Sequence, residues 1–352
     1  MLLYIPVFTV AFLVTLALVP LVKLIAKRIG AVDKPDQRKV HEVPTPRLGG
    51  LAIFIGFVAA MCTAVGVAYF INRGMDGNLL FGMLFGATIL VIVGIVDDVK
   101  NLSAPIKFLF QIIVASIAYY YGIQIDFISH PFGGDLIILG LWAIPFTILW
   151  IVGITNAINL IDGLDGLATG VTLIAAVTLF LVALRTHQID AAVQMAALAG
   201  CALAFLRYNF NPASIFLGDA GSLFLGFVLA SASVAGVLKS TIFVALVIPI
   251  LILGIPIYDT ASVIFRRVRS KQPVFTADKR HLHHRLLRAG FTQREAVLVI
   301  YGACMMLSVA ALGFIWLNSS IAFIVLFAVL IVAWISLWQL KRWIRSNMEE
   351  TA

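Results

Sequence analysis

Apolar runs of about 18 to 25 residues follow one another along nearly the whole 352-residue chain, each matched to the ~30 Å hydrocarbon core of a bilayer. About eleven can be traced, the first five being Leu3 to Ala26, Gly49 to Phe70, Leu79 to Val96, Pro105 to Tyr121 and Leu136 to Ile154. The next four are Leu167 to Leu184, Ala191 to Leu206, Ala220 to Val237 and Thr241 to Phe265. Ala296 to Leu317 and Ile321 to Leu340 complete the series. Only 12% of residues are charged, against 62% hydrophobic, and a soluble surface needs roughly twice that charge. The chain is therefore expected to be an all-α polytopic membrane protein. It has 10 to 11 transmembrane helices in one domain spanning 1–352. No stretch between the runs is large enough to fold separately; the longest is a His/Arg-rich loop at 266–294.

Basic residues orient the chain. With the N-terminus outside, 22 of the 25 Lys and Arg fall in inward-facing segments, leaving only Arg73, Arg185 and Lys239 outside. That bias accounts for most of the +8 net charge and removes the case for a nucleic-acid partner. The first run is too long for a signal peptide's apolar region, and its charges follow rather than precede it. Cys62, Cys201 and Cys304 lie inside apolar runs without metal-ligand spacing and read as small hydrophobes.

Against this background the carboxylates stand out. An ionisable side chain at the centre of a membrane helix costs on the order of 3 kcal/mol, which makes each one a functional candidate. Asp97 and Asp98 end the third run, Asp162 and Asp165 follow the fifth, and Asp219 begins the eighth. The orientation deduced from Lys and Arg puts all five on the cytoplasmic side, so one polar site between helices is expected there. Asp162 and Asp165 are three apart and would share a face on a helix. Gly163, Gly166, Gly218 and Gly221 beside them would let a backbone approach a ligand closely. With Asn156 and Asn159 the set is rich in hard oxygen donors. That suits Mg²⁺ (or Mn²⁺), which needs one or two carboxylates and fills its shell with water and phosphate oxygens.

The complementary half is basic. His281, His283 and His284 sit among Arg280, Arg285 and Arg288, and neighbouring guanidinium groups favour phosphate over a transition metal. Arg38, Lys39, His41 and Arg47 form a second basic patch, suited to a phosphate or to lipid headgroups. Acidic and basic groups at one membrane edge suggest phosphoryl chemistry between two anionic substrates, one soluble and one in lipid. A metal would neutralise their mutual repulsion. Asp259, about two turns from the end of the ninth run, either lines the same cavity or pairs with Arg266 or Arg267.

Four segments now stand together: Val-Asp97-Asp98, Asn156-Ala-Ile-Asn159-Leu-Ile-Asp162-Gly-Leu-Asp165-Gly, Phe-Leu-Gly-Asp219-Ala-Gly-Ser and His281-Leu-His283-His284. In combination they resemble the signature regions of the polyprenyl-phosphate N-acetylhexosamine-1-phosphate transferases, and the resemblance spans nearly the whole chain. It implies a ten- or eleven-helix membrane enzyme, often a homodimer, that moves a sugar 1-phosphate from a UDP-sugar donor to undecaprenyl phosphate and releases UMP. Leu282 interrupts the histidines. This is similar to the branch that uses UDP-N-acetylglucosamine, whereas the muramoyl-pentapeptide branch has consecutive histidines. Arg38-Lys-Val-His41 and Asp278-Lys-Arg-His-Leu-His-His look most like the enzymes that begin wall teichoic acid in the bacterial cell membrane.

The mechanism expected from these residues is direct displacement on the sugar-bearing phosphate, the alternative being double displacement through an aspartyl-linked phosphosugar. Asp219 with Asn159 would hold the metal, and Asp97 or Asp98 would take a proton from the lipid phosphate or help place it. Asn156, Asp162 and Asp165 would shape the nucleotide region, and His281, His283, His284 and Arg285 would contact the donor. Arg38, His41 and Arg47 would add phosphate contacts. The rival class is a cation-coupled secondary transporter. Such proteins place charges near the midplane and often carry internal repeats. No repeat is found, and these acids sit at one edge.

Overall fold

In lipid every backbone N–H and C=O must be satisfied within the protein, so apolar runs of this length become helices. The computed structural model describes residues 2–33, 44–128, 136–238, 247–272 and 281–317, with scattered positions from 321 to 331. In chain order its helices are α1 (Tyr4–Arg28), α2 (Gly49–Phe70), α3 (Gly77–Lys100), α4 (Ala104–Tyr120), α5 (Ala143–Ile161) and α6 (Leu167–Arg185). They continue as α7 (Ile189–Asn209), α8 (Gly218–Ser233), α9 (Val247–Ile252), α10 (Gly254–Arg269), α11 (Leu282–Arg288) and α12 (Gln293–Trp316). Among the described residues eight helical stretches are long and apolar enough to cross a membrane, and α4 is a shorter apolar helix. The protein is an all-α, multi-pass membrane protein. Among the described residues the sheet consists of two antiparallel pairs of two-residue strands: β1 (Val32–Asp33) with β2 (Thr45–Pro46), and β3 (Phe127–Ile128) with β4 (Ile137–Ile138).

Two apolar runs fold differently from expectation. The fifth does not become helix at Leu136: its first residues form β4 and a turn, with Gly140 at φ +54°, and α5 starts at Ala143 but continues to Ile161. The ninth is split. Its 241–246 portion lies outside the described residues, and the rest breaks at Leu253 between α9 and α10. Pro256 has no N–H to give the Ile252 carbonyl, so the i to i−4 ladder lacks a bond across the break. The segment 266–294 is partly helical too, since α10 reaches Arg269 and α11 follows. Most of the eleventh run, 321–340, lies outside the described residues.

The bundle is organised around α8. Nearly every residue of Gly218–Gly236 is buried, whereas α1 buries one side and turns most of its apolar surface outward. Small residues allow that central position. A Cβ on Gly50 of α2 would collide with the backbone of Gly221, and one on Gly94 of α3 would lie 2.6 Å from the Asp219 carbonyl carbon. One on Gly226 would lie 2.7 Å from the Thr155 Cα of α5. Three helices thus meet α8 backbone to backbone, as small residues permit in membranes. Gly50→Val is expected to cost about 1–3 kcal/mol through overpacking. Gly153→Ala, where nothing lies within 4 Å, should leave stability unchanged. Thermal unfolding of the two variants in detergent compares them directly.

Candidate active site at one end of the bundle

The end of α3, the α5–α6 turn, the α7–α8 loop and the start of α12 converge at one end of the bundle. There they line a cavity of about 290 Å³, whose wall includes Arg47, Asp98, Asp162, Asp165, Asp219 and His284. The loop before α8 is pinned to the start of α2 by main-chain bonds. Phe216 N–H donates to Pro46 O at 2.8 Å, Gly49 N–H to Phe216 O at 3.0 Å and Gly50 N–H to Leu217 O at 2.9 Å. The β1–β2 hairpin brings Arg47 to the wall, where it forms an ion pair with Asp33.

Asp219 occupies the first turn of α8, where the helix N-terminus favours negative charge. Lys107 Nζ donates to its Oδ2 at 2.6 Å and to Asp97 Oδ2 at 2.9 Å. Asn159 Nδ2 donates to Asp219 Oδ1 at 3.2 Å and to Ser222 Oγ at 2.8 Å. Asp98 does something different from its neighbour. Its two oxygens accept the backbone N–H groups of Asp219, at 2.9 Å, and Ala220, at 3.2 Å, so it caps α8 from the wall of the cavity. Gly218 has φ +72° and lies against that carboxylate, where a Cβ would come within 2.9 Å of Asp98 Oδ1.

Asp162 and Asp165 do not share a helix face. α5 ends at Ile161, and both lie in the turn before α6, closed by Gly166 at φ +79°. Asp165 accepts Asn211 Nδ2 at 3.1 Å and Ala213 N–H at 2.9 Å, tying this turn to the α7–α8 loop. The Asp162 side chain, half-buried at the cavity, has its carboxyl held well above the usual carboxylate range. Desolvation is the main cause, followed by the charges of Asp219, Asp98 and Asp165, with Arg47 opposing. That surplus of negative charge at the cavity fits a site for a hard cation. Asp162, Asp219 and the Asn159 carbonyl are the donors that could hold one. No three His, Cys, Asp or Glu among the described residues group closely enough to bind a metal by themselves. Mg²⁺ does not require that, because water and phosphate oxygens complete its shell.

His283 and His284 lie on α11. His281 precedes the helix, buried, with Nδ1 2.8 Å from Asp259 Oδ2. His283 stacks on His281 with ring centres 5.7 Å apart and 8° between planes, and its ring fills the space where a Gly163 Cβ would stand. His284, 4.3 Å from His283 between ring centres, reaches the cavity. Burial pushes the His283 pKa down to about 3, and the charges of His284 and His281 add to that. The ordinary value is 6.5, so the unfolded chain takes up this proton as pH falls through 6.5 while the folded protein refuses it until about 3. Stability is therefore complete above about 6.5 and is lost progressively toward about 3. His283→Gln should flatten that part of the profile of melting temperature against pH.

Of the residues singled out from the sequence, Arg47, Asp98, Asp162, Asp165, Asp219 and His284 meet on the cavity wall, and Asp97 and Asn159 join through Lys107 and Asp219. Asn156 sits a turn behind, its amide paired with Gln111 of α4. His281 and His283 are buried away from the wall, and Arg285 is exposed. Arg38 and His41 lie outside the described residues. Asp259 serves the histidine segment, a role different from the two foreseen for it. Lys107 was missed as a site residue, although a lone cation inside an apolar run carries the same signal that marks the aspartates.

Residues 80–237 match the model of a family described as glycosyl transferase family 4. The chain is 46% identical over 330 residues to a Bacillus subtilis (strain 168) protein named "Probable undecaprenyl-phosphate N-acetylglucosaminyl 1-phosphate transferase", covering 93% of this chain and 90% of that one. It is 37% identical over 306 residues to the decaprenyl-phosphate N-acetylglucosaminephosphotransferase of Mycobacterium tuberculosis (strain ATCC 25618 / H37Rv), covering 80% and 74%. With the undecaprenyl-phosphate alpha-N-acetylglucosaminyl 1-phosphate transferase of Escherichia coli (strain K12) it shares 28% identity over 309 residues, covering 86% and 82%.

Proposed function

The chain belongs to glycosyl transferase family 4, and on that premise we propose that it transfers N-acetylglucosamine 1-phosphate from UDP-N-acetylglucosamine to undecaprenyl phosphate. The products are UMP and undecaprenyl-pyrophosphoryl-N-acetylglucosamine, a first membrane intermediate for an envelope polymer such as wall teichoic acid. The names of the relatives support donor sugar and acceptor class. The observation that carries the chemistry is the Asp219–Lys107–Asp97 ion-pair chain at the edge of a cavity bearing four further carboxylates, Asp33, Asp98, Asp162 and Asp165. The distribution of Lys and Arg supports a site that faces the cytoplasm, where the soluble donor is.

An oxygen of the lipid phosphate forms a bond to the donor's β-phosphorus, and the bond from that phosphorus to the bridging oxygen breaks, so that oxygen leaves with UMP. Arg47 on the cavity wall would meet the incoming pyrophosphate, with Lys107 holding Asp219, and His284 would add a hydrogen-bonding contact. Mg²⁺ held by Asp219, Asp162 and Asn159 would supply charge neutralisation for two anions brought together. Asp98, on the wall and fixed by the start of α8, is placed to orient the lipid phosphate or take its residual proton. Asp97 acts through Lys107. A phosphate monoester is already mostly ionised near neutral pH, so positioning matters more than base strength.

Donor labelled at the β-phosphate tests this reading. Label from UDP-N-acetylglucosamine should appear in the lipid product and not in UMP. Label entering lipid only from UDP-N-acetylmuramoyl-pentapeptide would move the protein to the other branch. Label retained in the soluble fraction would oppose transfer altogether.

A further inference from the structure

Asp259 lies on α10, outside the cavity wall, and is 2% exposed. Both of its oxygens are directed at the start of α11: Oδ2 lies 2.8 Å from His281 Nδ1, and Oδ1 accepts the backbone N–H of Leu282 at 2.8 Å. An ionised carboxylate only accepts, so the shared proton sits on Nδ1 of His281 in either charge state of the ring. The imidazole is thereby fixed in one tautomer and one orientation. His281 in turn lies parallel to His283, whose ring is lodged against Gly163 in the Asp162–Gly166 turn. His283 meets His284, and His284 lines the cavity. A carboxylate that only filled space would not need two directed bonds to one segment. Burying it there without them would be costly.

We propose that Asp259 is a positioning residue, which locks the His281 tautomer and seats α11 so that the imidazole stack presents His284 to the donor's phosphates. The inference rests on the transferase reading above. Asp259 touches neither substrate; it acts through His281. The geometry separates this role from simple helix packing, because asparagine at the same place can still accept from Leu282 N–H while turning its amide donor toward His281.

The test is a double-mutant cycle on UMP release with Asp259→Asn, His281→Ala and the pair, each checked for an unchanged melting temperature. Asp259→Asn should lower kcat/KM for the UDP-sugar by about 10- to 100-fold, as loss of a carboxylate that orients a histidine commonly does. In the His281→Ala background the same change should cost less than about 2-fold. Losses that multiply, or full activity of Asp259→Asn, would overturn the proposal. Histidine-selective ¹⁵N NMR gives a readout without turnover: His281 should carry its proton on Nδ1 in the parent and lose that signature in Asp259→Asn. An unchanged His281 signal in Asp259→Asn would also overturn it. A parent that shows the tautomer but releases no UMP would instead count against the transferase reading.

Discussion

Asp219→Asn should reduce kcat/KM for UMP release by about 10³-fold, a loss of about 4 kcal/mol of transition-state stabilisation, with the protein still folded. The carboxylate sits at the N-terminus of α8, takes a charge-assisted bond from Lys107 and is steadied by Asn159. Asparagine keeps its size and one acceptor oxygen but removes the charge that a cation and Lys107 both need. Fold should survive because Asp98, not Asp219, caps α8. Single-turnover kinetics with circular dichroism in the same detergent would check both halves. Retention of more than a tenth of the activity would remove Asp219 from the centre of the site.

Lys107→Met is expected to be nearly as damaging, by about 10²- to 10³-fold in kcat/KM, and unlike Asp219→Asn it should also destabilise the fold. Lys107 stands between Asp97 and Asp219 with its side chain 21% exposed. Without it two carboxylates are left facing each other in a largely dry setting. Breaking a buried pair by removing one partner costs about 3–5 kcal/mol, and partial exposure puts this case at the lower end. Lys107→Arg keeps the charge but replaces a compact ammonium by a planar fork, so it should recover stability more than activity. The check is a denaturation series run beside the kinetics of both variants. Equal stability of Lys107→Met and parent would mean that the ion-pair chain does not hold the site together.

Much of this architecture can be read from the chain before it folds. Gly49 to Phe70 coincides with α2, and Leu167 to Leu184 falls one residue short of α6, because uninterrupted apolar length is what a bilayer selects. Hydropathy fails where apolar residues do something other than span. Ile137 and Ile138 are as apolar as any helix, yet they pair with Ile128 and Phe127 as a hairpin. The ninth run breaks at Leu253 despite a favourable average, with Pro256 leaving one bond of the ladder unmade across the break. The acidic half of the site was legible for the same reason that α2 was: charge in an apolar chain needs a purpose. Its division of labour was not. Asp97 and Asp98 are adjacent in sequence, and only the approach of α8 shows that one holds a lysine while the other caps a helix. Lys107 meets Asp219 across 112 residues, and Asp259 meets His281 across 22, separations that no local pattern encodes.

The proposed reaction requires lipid-dependent cleavage of a UDP-sugar at this cavity. Detergent-purified protein should be given Mg²⁺, undecaprenyl phosphate and UDP-N-acetylglucosamine, and UMP followed against lipid product. The prediction is one UMP per lipid pyrophosphate formed, and none when undecaprenyl phosphate is omitted. No UMP from protein shown to be folded, or UMP at the same rate without the lipid, would contradict it.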